Sequence, residues 1–116
     1  MKAIKRGNDF VVNWQITKGG FPLVMEGAAG ERLMLSNFGI TREIPFTREG
    51  STLMVEITPE MAPRVGHYSL FYDFSLPDAS FKDGRRNRSA GCIAFRIVST
   101  SSQSDEVNTI DIQTEI

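Results

Sequence analysis

From His67 to Leu76 the chain alternates without a break. Tyr68, Leu70, Tyr72, Phe74 and Leu76 share one parity, and His67, Ser69, Phe71, Asp73 and Ser75 the other. Successive side chains of an extended strand point to opposite faces, so this period of two specifies a strand with one apolar face and excludes an amphipathic helix. The stretch is introduced by Val65-Gly66-His67-Tyr68. A Gly-x-Tyr step into a strand is the pattern of the tyrosine corner of β-sandwiches, in which a buried ring closes the core and its hydroxyl bonds back to the preceding loop. The bond is expected to reach the backbone near Thr58 to Met61.

The other segments agree with this strand. Phe10, Val12, Trp14 and Ile16 fall on one face of a second strand, with Trp14 as the largest core anchor. Leu33 and Leu35, then Leu53, Val55 and Ile57, mark two more, and Ile93, Phe95 and Ile97 are expected inward from a strand over 91–98. Residues 2–5 read as a short edge strand. Phe21 to Met25 reads as an extended stretch at the sheet edge, because Pro22 has no N–H to give to a ladder. Pro45 places Thr41 to Thr47 at an edge for the same reason. Pro77 to Ser89 reads as a polar loop with a tight turn at Asp83-Gly84. About seven strands with regularly spaced turn signals and no amphipathic helix predict an all-β, antiparallel β-sandwich.

A chain of 116 residues forms one domain of this kind, here residues 1–98. Residues 99–104 read as a Ser-rich linker and 105–116 as an acidic tail. The last twenty residues hold Asp105, Glu106, Asp111 and Glu115 and no Lys or Arg, so all 13 basic side chains lie in the body. Ile110, Ile112 and Ile116 alternate with Asp111, Gln113 and Glu115. So short an arm cannot build its own core, and it is expected to be disordered alone or to add a strand to another chain.

One cysteine, Cys92, and one histidine, His67, exclude an internal disulfide and a Cys-based zinc site, and no catalytic residue, cofactor or metal is expected. A net charge of −1 argues against a nucleic-acid partner of the strongly basic kind. No apolar run approaches the roughly 18 residues needed to cross a bilayer, so no membrane insertion is expected. The N-terminus has no apolar core of a secretion signal, which predicts a protein made in the cytoplasm. Cys92 as a nucleophile would need His67 as its base, and the two are expected on the same face of the hairpin without an orienting group or oxyanion motif.

Three surfaces remain as candidate partner contacts. Lys82, Arg85, Arg86 and Arg88 concentrate charge in one loop, which either docks an anionic ligand through its arginines or is a solvated hairpin tip. Asn87-Arg88-Ser89 matches a glycosylation tripeptide, read here as chance. Met54 and Phe71, with Cys92 and Ala94, are expected on an outward apolar patch fit for a subunit interface. Ile110 and Ile112 of the tail complete the set, and Trp14 and Tyr68 are expected to be structural.

The order of motifs resembles a known family. Ile4-x-Arg6-Gly7-Asn8-Asp9-Phe10, the strand through Trp14 and Ile16, and Gly20-Phe21-Pro22-Leu23 look like the start of the immunoglobulin-like N-terminal domains of bacteriophage and prophage tail, baseplate and fibre proteins. Leu53-x-Val55-x-Ile57, Gly66-x-Tyr68-x-Leu70 and Phe95-x-Ile97 continue the resemblance through residue 98. It implies an immunoglobulin-like sandwich and a non-enzymatic structural or adaptor module, made in the bacterial cytoplasm and placed in the virion. The partners it implies are copies of itself or other virion proteins. The alternative is a carbohydrate-binding or adhesin-type sandwich of a bacterial cell. An aromatic platform at a loop end would favour that alternative, and the loops offer only Phe21 and Phe81 for one.

Overall fold

The computed structural model describes residues 1–116 and contains ten strands: β1 Ala3–Lys5, β2 Phe10–Lys18, β3 Phe21–Pro22, β4 Ala29–Asn37, β5 Ile40–Ile44, β6 Thr47–Glu49, β7 Thr52–Ile57, β8 Gly66–Pro77, β9 Arg85–Val98 and β10 Thr109–Glu115. They form two sheets, ordered β1-β9-β8-β4-β5 and β10-β2-β7-β6, with β3 a short addition to β2. Taking β2, β4, β5, β6, β7, β8 and β9 as strands B, C, C′, D, E, F and G, this is the order of an immunoglobulin-like sandwich. Single-residue alternation along β2, β7 and β8 sends Val12, Trp14, Leu53, Val55, Leu70 and Tyr72 into the space between the sheets, where all are buried.

The tyrosine corner is present, with a different partner from the one expected. The Tyr68 hydroxyl donates to the Arg64 carbonyl at 2.8 Å and accepts from the Arg64 N–H at 3.0 Å. Its ring stacks on Phe95 at 5.1 Å, and Phe95 meets Phe10 edge-on at 4.7 Å. The bond closes on the residue four positions upstream because Thr58–Met61 makes its own turn, with the Met61 and Ala62 N–H groups both bonded to the Thr58 carbonyl.

Pro45 lies in no strand. The single strand expected over Thr41 to Thr47 is divided there into β5 and β6, which belong to different sheets. A proline with no N–H suits a crossing point where neither ladder needs one.

The tail is not a free arm. β10 runs parallel to β2 of its own chain, from Thr109 beside Val11 to Glu115 beside Thr17. It therefore extends the second sheet, in the place beside strand B, and residues 109–115 belong to the sandwich. Trp14 Nε1 donates to Thr114 Oγ1 at 2.7 Å, the Ile116 N–H donates to the Thr17 carbonyl at 2.8 Å, and Thr17 Oγ1 bonds the Glu115 carboxylate. The segment 99–104 contains one 3-10 turn, Ser101–Gln103, and is followed by a clasp between Asp105 and Ala3. The β2–β10 and β1–β9 ladders are parallel; the remaining ladders are antiparallel.

Behind the core a polar bridge joins three strands. Glu31 of β4 accepts from the Tyr72 hydroxyl of β8 at 2.5 Å and pairs with the Arg48 guanidinium of β6, which also donates to the Gly50 carbonyl at 2.8 Å. The Arg48 hydrogen bond holds the Glu31 carboxyl below its usual range, against the opposing effect of burial, and burial with Glu31 nearby pushes the Tyr72 phenol upward.

Candidate interaction surfaces

The outer face of the β1-β9-β8-β4-β5 sheet carries a short apolar row. Phe71 on β8 stands opposite Met34 on β4 and opposite Gly91 on β9, and Ile93 lies one rung further along β9, opposite Ser69. Phe71 is 42% and Ile93 59% exposed. A side chain on Gly91 would begin 3.0 Å from the Phe71 ring, so the glycine leaves room for that ring to lie across β9.

Ile93 stands outward because of a bulge. Tyr68 pairs with Phe95 and Ser69 with Ile93, leaving Ala94 as the extra residue. An extra residue reverses parity beyond it. The expected inward set of Ile93, Phe95 and Ile97 is thus corrected: Phe95 and Ile97 are inside and Ile93 is outside. The same reversal turns Cys92 and Ala94, expected outward, toward the core, where Ala94 is buried and Cys92 packs at its margin. Burial pushes the Cys92 thiol up to about 11, which keeps it protonated at neutral pH. His67 is exposed, faces the other way and stands opposite Arg96, so the two groups do not meet.

Met54 and Phe71 do not share a patch. Met54 is half-buried on the outer face of the other sheet, between the inward Leu53 and Val55, and lines an open depression with Val11, Pro45 and Phe46. The two residues therefore mark opposite sides of the sandwich.

The basic cluster is likewise dispersed. β8 and β9 run on as a ladder to Pro77 opposite Arg85, so the loop is 78–84 and only Lys82 of the four cations lies in it. Arg85 is already engaged: its guanidinium donates to Ser75 Oγ, the Ser75 carbonyl and the Gly27 carbonyl at 3.0, 3.0 and 2.6 Å. It ties the 23–28 loop to the hairpin instead of facing a ligand. Arg86 lies over the Phe81 ring at 5.8 Å, and Arg88 is half-buried opposite Phe74. Further along the same sheet face, Arg32, Asp73, Ser75, Asn87 and Ser89 frame an open polar depression of about 430 Å³.

Ile110 is buried and Ile112 half-buried against the core, which removes both as contacts to another chain. Trp14 is fully buried and Tyr68 is 2% exposed.

The residues missed by sequence reasoning are Met34 and Ile93 on the sheet face and Phe38, Ile40 and Val65 at the corner end, all partly or largely exposed. Met34 was legible, since Leu33 and Leu35 face inward on either side of it. The Ile93 signal was not, because no local pattern announces a bulge at Ala94.

No group of three or more His, Cys, Asp or Glu side chains is placed to hold a metal ion, and no helix is long and apolar enough to cross a membrane. Comparison of the chain with family models, with curated proteins and with solved structures finds no match.

Proposed function

We propose that this chain is a non-enzymatic structural or adaptor module of a phage or prophage tail or baseplate assembly, acting through contacts with copies of itself or with other virion proteins. The observation that carries the contact role is the row Met34, Phe71 and Ile93 on the outer face of the larger sheet. Large apolar side chains in a continuous row on a wet sheet face are retained at a cost in solubility, and covering them is the usual return. The tail or baseplate assignment is supported by the motif order from Ile4 to Ile97 set out above. Its test is electron microscopy of particles from an induced lysogen, labelled with antibody against this protein. Label at the tail end supports the reading; label on the cell envelope with bare particles overturns it.

One observation favours the carbohydrate-binding alternative: Asp73, which frames the polar depression with Ser75, Asn87 and Ser89, lies two residues along β8 from the exposed Phe71, on the same face. Hydrogen-bonding side chains beside an aromatic face suit a sugar. Titration with bacterial surface oligosaccharides, read by Phe71-dependent binding, separates it from the first reading.

A further inference from the structure

The β4–β5 turn presents a bulky aromatic residue where the backbone disfavours one. Phe38 has φ 50° and Gly39 φ 78°, both in the left-handed region. A two-residue hairpin turn with positive φ at both positions is normally filled by Asn-Gly or Asp-Gly, and a bulky side chain there is strained. Asn37 fixes the turn from below: it is 8% exposed and donates to the His67 carbonyl at 2.8 Å. The Phe38 ring leans over Gly66 and remains 74% exposed, with Ile40 at 56% and Val65 at 43%.

Beside this prong lies a small notch of about 70 Å³ floored by Leu35, Ile40, Met61 and Tyr68 and rimmed by Arg42 and Arg64. Neither arginine is paired with a carboxylate, since the ion pairs of the molecule are Arg32–Glu43 and Arg48–Glu31. Strain at Phe38, its exposure and two guanidinium groups without a carboxylate partner, of which Arg42 also donates to the Glu60 carbonyl at 3.1 Å, all stand around an apolar notch at one end of the sandwich.

We infer that this corner end is a docking site for an extended, acidic segment of a partner protein. An apolar side chain of the segment enters the notch, the segment crosses the exposed Phe38 ring at the adjoining turn, and its carboxylates meet Arg42 and Arg64. The charge pattern selects this occupant over a second copy of the chain. A two-fold contact places the same patch on both subunits and would bring the arginines of one copy against those of the other.

The test is a displayed library of random dodecapeptides selected on the intact protein. Enriched peptides are expected to place an aliphatic or aromatic residue beside Asp or Glu. Their affinity should fall at least about tenfold, the size of one anchor residue, with Phe38→Asn and again with Arg64→Glu. Phe38→Asn controls for folding, because Asn accepts positive φ, and its melting temperature is expected to equal or exceed that of the parent. A lower melting temperature overturns the argument that Phe38 is kept for contact. Absence of enrichment, neutral or basic consensus peptides, or binding indifferent to both variants overturns the site. Phe38-dependent self-association in sedimentation overturns it in favour of a second copy. None of these results bears on the Met34–Phe71–Ile93 face, whose test is separate.

Discussion

Replacing Tyr68 with phenylalanine removes one oxygen atom and both bonds of the corner. The ring stays stacked on Phe95, so the substitution isolates the hydroxyl, which donates to the Arg64 carbonyl and accepts from its N–H. Each bond contributes about 0.5–1.5 kcal/mol net. Arg64 is exposed, so water replaces the hydroxyl in part, and the loss falls at about 1–2 kcal/mol, below the sum of the two maxima. With a urea slope of about 1–3 kcal/mol per M for a small protein, the unfolding midpoint should drop by roughly 0.5–1 M. Trp14, the single tryptophan, is fully buried and reports the transition by fluorescence. The slope should be unchanged and binding by the outer sheet face retained. An unchanged midpoint would refute the corner as a source of stability. A changed slope would mean that the variant alters the compactness of one of the states.

Other outcomes follow from the same structure. Ile110→Ala should cost about 2 kcal/mol, at the low end of core truncations because β10 is an edge strand, and should shift Trp14 emission to the red; unaltered stability and emission would count against the β2–β10 pairing. Glu31 has a folded-state value below 4.5, so its contribution is fully present above that pH and is lost as pH falls through the lower folded value. Glu31→Gln should therefore lower stability at pH 7 and flatten the acid limb of a stability-versus-pH curve below pH 4.5; an identical acid limb would show that the bridge contributes nothing. Cys92 should react with an alkylating reagent at pH 8 more slowly than a free cysteine, as expected of a thiol held up to about 11 by burial, and equal rates would place it at the surface. Phe71→Ser should change stability by less than about 1 kcal/mol while weakening contacts of the sheet face, because the ring is already 42% exposed.

What the sequence disclosed was local and periodic. β2, β7 and β8 were legible because one face of each is buried, and the corner was legible from Gly66-x-Tyr68. What it concealed was non-local. The alternation of Ile110 and Ile112 correctly indicated a strand, but only the folded chain shows that its partner is β2, nearly 100 residues away, and that the pairing is parallel. Arg85, Arg86 and Arg88 looked like a charged loop because a strand rich in arginine has no apolar parity; cross-strand pairing with β8 and the Gly27 carbonyl hold it in place instead. Ile93 was lost to a one-residue bulge, which reverses every inference about faces on one side of it. Phe38 was available in Asn37-Phe38-Gly39, where a turn between two alternating strands calls for positive φ at the aromatic position.

The contact role of the larger sheet is most directly tested by a photo-crosslinking residue at position 93, compared with one at position 56. Both positions are exposed, on opposite sheets of the sandwich. In the cells or particles where the protein functions, irradiation should yield covalent protein adducts from position 93 and little from position 56. Adducts from position 56 with none from position 93 would contradict the assignment of the outer β9-β8-β4 face as the working surface.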